Sequence, residues 1–131
     1  MTAKRAREVP RPTRSELGIL KVLWEGGPLT VRQVHERLEA ERPTGYTTVL
    51  KLMQIMTEKG LVRRDERERA HVYRATLAQS ETGARLVDEL IDKVFGGSVG
   101  RLVLEALSRK PATAAERAEI RRMLGQHDRS R

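Results

Sequence analysis

Three features of the chain predict a mainly α-helical protein carrying one small β-hairpin. Between positions 13 and 60, apolar residues recur at helical spacing in three short segments, set off by capping hydroxyls, glycines and prolines. The pattern then becomes strand-like over Leu61–Arg64 and His71–Arg74. From Ser80 onward the spacing is helical again. Three short helices followed at once by a hairpin are the sequence form of a winged helix-turn-helix domain. The later helices read as a helical dimerisation domain. Expected limits are a disordered basic arm over residues 1–12, the winged helix over 13–78, the dimerisation domain over 79–126 and a tail over 127–131.

Composition narrows the class further. With 131 residues the chain suits one compact domain, or a small domain with an oligomerising appendage. Aromatic residues are 3% of it, so a large self-sufficient core is not expected, and apolar surface is available to a second copy. A net charge of +8 favours a polyanionic partner, nucleic acid first and an anionic membrane surface second. Cysteine is absent, which excludes disulfides, thiolate catalysis and cysteine-ligated zinc. No apolar run reaches membrane-spanning length, and the first twelve residues lack the apolar centre of a signal peptide. A soluble cytoplasmic protein without membrane insertion is expected.

The arm carries Lys4, Arg5, Arg7 and Arg11, with Pro10 and Pro12 discouraging a helix. Thr13-Arg14-Ser15-Glu16 is a capping box, and the helix it opens places Leu17, Leu20, Leu23 and Trp24 on one face before Gly26-Gly27-Pro28 stops it. Thr30-Val31-Arg32-Gln33 is a second capping box, opening a helix with Val31, Val34, His35 and Leu38 inward, closed by Arg42-Pro43. In the third helix Val49, Leu52, Met53 and Met56 make the apolar stripe, with Thr44 as the expected cap and Gly60 as the left-handed stop.

The opposite face of that third helix carries Thr47, Lys51, Gln54 and Glu58. Its first turns thus offer hydroxyls, an amide and one lysine, short groups suited to base edges and phosphates in a major groove. In the hairpin, Arg67 and Arg69 stand at the charged tip, equally readable as phosphate contacts or as solvated turn residues. Beyond Ser80, Leu86, Leu90, Ile91 and Val94 form one stripe ending at Gly96-Gly97. Leu102, Val103 and Leu107 form a second. Thr113-Ala114-Ala115-Glu116 caps a last helix bearing Ile120, Met123 and Leu124. These stripes are too narrow to make a core from one chain, and pairing with a second copy would cover them.

With these residues laid out, the chain resembles the penicillinase-repressor family. The resemblance rests on residues 16–24, 27–36, Tyr46-Thr47-Thr48-Val49, 58–64, Ala70-His71-Val72-Tyr73 and Phe95-Gly96-Gly97-Ser98, in order, within residues 13–124. Members of that family are bacterial repressors of β-lactamase and methicillin-resistance genes and their copper-responsive relatives. The resemblance implies a homodimer that binds a palindromic double-stranded DNA operator and blocks transcription. By position it implies major-groove contacts from Thr47, Thr48 and Lys51 and phosphate contacts from Thr30 and Arg32. With Thr44, Tyr46, Gln54, Arg67 and Arg69 these make up the candidate DNA-binding set.

Two departures limit what carries over. Copper-responsive members have cysteines near the C-terminus, and this chain has none. Antibiotic-responsive members are cleaved at an Asn-Phe bond, which raises an upstream membrane sensor protease as a partner. The corresponding stretch here, Leu102-Val103-Leu104-Glu105-Ala106, lacks that pair.

No cofactor, metal or catalytic residue is expected. His35, His71 and His127 lie far apart without ligand spacing, and Asp88, Glu89 and Asp92 beside Arg85 and Lys93 read as surface pairing. No phosphate loop or nucleophile-base constellation is present, so an enzyme is not expected. Two rivals stand beside the repressor: a ligand-sensing winged-helix regulator and a winged helix serving as a protein-interaction module.

Overall fold

The computed structural model describes residues 9–129. Lys4, Arg5 and Arg7 of the expected arm lie outside them, as does the end of the tail. Among the described residues the element order is α1 (Arg14–Gly26), α2 (Val31–Glu41), α3 (Tyr46–Lys59), β1 (Val62–Asp65), β2 (Val72–Ala75), α4 (Gln79–Lys93), α5 (Val99–Arg109) and α6 (Ala114–Arg129). This is the expected mainly α-helical winged helix followed by further helices.

Both capping boxes form as the sequence predicts. The Thr13 hydroxyl accepts from the Glu16 N–H (3.2 Å) and the Glu16 carboxylate accepts from the Thr13 N–H (2.8 Å). Thr30 and Gln33 repeat the exchange at 3.2 and 2.9 Å. Each box satisfies two amides that a helix start otherwise leaves without partners. Ile19, Leu20 and Leu23 of α1 are buried, Val34 of α2 is fully enclosed, and so are Val49, Met53 and Met56 of α3. Leu17, Trp24, Leu38 and Leu52 pack half-buried around this core. Each fully buried side chain of this size contributes about 1.5–3 kcal/mol relative to exposure.

The hairpin packs against α3 and α1. β1 and β2 pair antiparallel in the register Val62↔Ala75, Arg63↔Arg74, Arg64↔Tyr73 and Asp65↔Val72. Val62 and Tyr73 turn inward and are buried. Leu29, in the turn between α1 and α2, adds a rung the sequence did not announce. Its N–H donates to the Tyr73 carbonyl (3.0 Å) and its carbonyl accepts from the Tyr73 N–H (2.8 Å). Turn, hairpin and helices are thereby tied together by backbone bonds as well as by the core.

One expectation needs correcting. Gly45, not Thr44, is the N-cap of α3, and no side chain caps that helix. The Thr44 hydroxyl donates to the Arg42 carbonyl (3.2 Å), a local turn bond that competes with capping. At the start of the described residues Val9 is 3% exposed within the core, and the Arg85 guanidinium donates to its carbonyl (3.0 Å). The compact units divide between Leu86 and Val87, inside α4. Leu77 and Thr82 are buried and the Trp24 indole donates to the Leu77 carbonyl (3.0 Å), which fastens the start of α4 to the first unit.

In the second unit α5 is capped by Ser98, whose hydroxyl accepts from the Arg101 N–H (3.1 Å). The Thr113–Glu116 box opens α6 at 2.8 and 3.1 Å. Gly96 and Gly97 take φ values of 61° and 83° in the turn before α5, where a side chain would be strained. Neither α5 nor α6 contains a buried residue.

Candidate nucleic-acid interface

α3 is the element on which the site depends. Its apolar stripe is sealed in the core, so the helix cannot roll without exposing Val49, Met53 and Met56. Gly60 ends it in the left-handed conformation (φ 82°). At that end the Lys59 ammonium donates to the Glu16 carboxylate at 2.8 Å. Glu16 is only 1% exposed. Burial pushes its carboxyl up, but the hydrogen bonds from Lys59 and Thr13 outweigh that, and the group rests below its ordinary value of 4.5. One carboxylate thus joins the start of α1 to the end of α3.

The outward face of α3 carries Thr47, Thr48, Lys51 and Gln54 together, all exposed. Tyr46 heads the helix, 46% exposed, with its ring edge-on to His35 (centroids 5.6 Å apart, planes at 81°). Thr44 is half-buried in the turn before it. At the start of α2, the Thr30 hydroxyl is committed to its capping box, while Arg32 extends into solvent and meets Glu36 at 3.4 Å.

At the hairpin tip the two candidate arginines differ. Arg67 is held by Asp65 through its backbone N–H (3.0 Å) and its guanidinium (2.7–3.1 Å). Those bonds lower the Asp65 carboxyl to about 2, so it carries its charge at neutral pH. Arg69 is exposed and has no hydrogen bond or ion pair among the described residues.

Two further arginines stand on the hairpin. Arg63 and Arg74 face each other directly across the strands, both exposed, on the side of the hairpin away from Val62 and Tyr73. Neither has a carboxylate within ion-pair distance among the described residues. Like charges directly opposite destabilise a strand pair. Alternation alone leaves their face open, since Leu61 and Val62 are both apolar; the burial of Val62 and Tyr73 and the strand register set the two arginines outward and opposite one another.

The expected dimerisation residues fall into two sets. Leu90 (43%), Val94 (61%), Val103 (40%), Leu107 (43%), Met123 (50%) and Leu124 (59%) are exposed, and so are Val87, Val99 and Leu104, the last at 70%. Leu86, Ile91, Leu102 and Ile120 are half-buried. Among the described residues no group of three or more His, Asp or Glu side chains is placed to hold a metal ion. No helix there is long and apolar enough to cross a membrane.

A helix with one sealed and one polar face, followed at once by an antiparallel hairpin, defines a winged-helix domain. Comparison with known proteins agrees. The family model described as penicillinase repressor matches residues 12–126. The transcriptional regulator BlaI of Mycobacterium tuberculosis is 35% identical over 113 residues, covering 85% of this chain and 80% of that protein. The chain belongs to the penicillinase repressor family. Among solved structures, monomeric BlaI of Bacillus licheniformis in complex with the blaP half-operator aligns at a TM-score of 0.50. It shares 20% identity, over 56% of this chain and 89% of that one. A MarR family protein from Bacillus stearothermophilus also aligns at 0.50, with 24% identity over 95% of this chain and 80% of that one. These two likenesses bear on fold alone.

Proposed function

We propose that this chain is a transcriptional repressor that binds a palindromic DNA operator as a homodimer, each protomer placing α3 in a major groove. The observation that carries the reading is the outward face of α3, where Thr47, Thr48, Lys51 and Gln54 stand exposed above a fully buried stripe. Hydroxyl, ammonium and amide groups at that spacing reach base edges in one groove. Because no side chain caps α3, its first-turn amides are also available to a backbone phosphate. Dimerisation draws support from the exposed apolar residues of α4, α5 and α6, which a second copy would cover. A two-fold pair sets two recognition helices one DNA turn, or a multiple of it, apart. The 35% identity to a protein named as a transcriptional regulator lends weight to a role in transcription.

Selection of bound genomic fragments, followed by titration on the enriched site and on random DNA, tests the proposal. Thr48→Ala and Lys51→Ala are each expected to cost about 1–3 kcal/mol on the enriched site and far less on random DNA. Affinity for either DNA falls by roughly 10³–10⁵ between about 50 and 200 mM salt if 6–10 phosphates are neutralised. A flat salt titration, or unchanged discrimination in both variants, rules the reading out.

A further inference from the structure

Helices α1 and α2 open on threonine capping boxes, α5 on Ser98 and α6 on Thr113. α3, the helix with the outward polar face, opens on a glycine. What fixes its start comes from α2. The Glu39 carboxylate accepts from the Thr44 N–H at 2.9 Å, and the His35 Nε2 donates to the Thr44 carbonyl at 2.8 Å. The same Glu39 oxygen lies 3.4 Å from the His35 ring nitrogen, and the ring meets the edge of Tyr46, the first residue of α3. Both backbone polar groups of the residue before the glycine are therefore gripped by side chains one helical turn apart on α2.

We infer that His35 and Glu39 are positioning residues for base reading, clasping Thr44 so that the first turn of α3 presents Thr47 and Thr48 at a fixed angle. The inference rests on the operator reading above. It also runs against the simplest electrostatic expectation. Glu39 is an acidic side chain, 48% exposed, close to a surface read as binding a polyanion. If its charge were all that mattered, removing it would tighten DNA binding. As a clasp, its removal frees a backbone N–H and loosens the helix start, which weakens specific binding instead.

Two variants separate these roles. Glu39→Ala removes charge and acceptor; Glu39→Gln removes the charge but keeps an amide oxygen for the Thr44 N–H. In the free protein, Glu39→Ala is expected to raise amide exchange at Val49 and Leu50 about tenfold, the scale of one lost charge-assisted hydrogen bond, while Glu39→Gln leaves it near wild type. Circular dichroism is expected to show both variants folded, since Glu39 lies outside the core. On the selected operator, Glu39→Ala is expected to lose about tenfold in affinity and Glu39→Gln to match or exceed wild type; random DNA binding weakens in neither. Unchanged exchange in Glu39→Ala overturns the inference, as does an alanine variant that binds the operator as tightly as the glutamine variant. A wild-type protein with no preference for any selected site sinks the operator reading alone, because the exchange comparison still decides whether the clasp holds the helix.

Discussion

Glu16 shows how one residue serves two levels of the structure. In sequence it is the fourth member of a capping box; in the fold it also receives Lys59 from the far end of α3. Lys59→Met leaves a buried carboxylate with only the Thr13 bonds, at a cost of about 1.5–3 kcal/mol near neutral pH. The folded pKa of Glu16 lies below its ordinary 4.5. Its stabilisation is therefore complete at neutral pH and is lost as pH falls through the folded value. Removing Lys59 removes much of what holds that value down, so the two proteins should converge in stability as acid protonates Glu16. Urea unfolding at about pH 7 and about pH 3 measures the gap, and a gap that does not narrow would place the ion pair's contribution elsewhere.

The hairpin is where an element, rather than a residue, sets the behaviour. Of its arginines, Arg64 is paired with Glu66 (2.6 Å) and Arg67 with Asp65 (2.7 Å), whereas Arg63 and Arg74 confront each other. A free protein holding two like charges in register is less stable than one without them, by roughly 0.2–1 kcal/mol. A bound phosphate would reverse the sign. Arg63→Ala is accordingly expected to raise the melting temperature of the free protein. It should also weaken specific and random DNA binding alike and lower the salt slope by about one. Thermal unfolding and a salt series read both effects. Stabilisation without loss of DNA affinity would show that this face of the wing stays in solvent.

For the whole molecule, the division of exposed apolar surface is the feature that matters. The first unit encloses its core, while α5 and α6 enclose no residue and leave Val103, Leu104, Leu107, Met123 and Leu124 open. If a second copy covers them, an aspartate there leaves a charge to be buried without a partner, which costs several kcal/mol. Leu124→Asp in the full chain is expected to sediment as a monomer and to lose most operator affinity while the winged helix stays folded. A monomeric variant with full affinity would detach operator binding from dimerisation. A deletion test has to respect the burial of Leu77 and Thr82. Cutting before them removes part of the first unit's own core, so loss of binding would then say nothing about dimerisation.

What the sequence determined by itself was whatever rests on local pattern. The capping boxes at Thr13, Thr30 and Thr113, the stop at Gly60, the buried stripe Val49–Met53–Met56 and the two strands all follow from spacing and from the side-chain chemistry of neighbours. Thr47, Lys51 and Gln54 were legible for the same reason, since about half a helical turn separates them from the stripe, whereas Thr48 was implied by the family resemblance. What only the tertiary structure decided depends on residues far apart in the chain. Lys59 reaches Glu16 across 43 positions, Arg85 reaches Val9 across 76, and Leu29 pairs with Tyr73. The start of α3 belongs to the same class. Thr44 looked like a cap from its own sequence, yet its hydroxyl turned back to Arg42 while His35 and Glu39 took its backbone. Local pattern fixes which face a residue occupies; the partner it meets there is set by how the helices pack, and no periodicity records that.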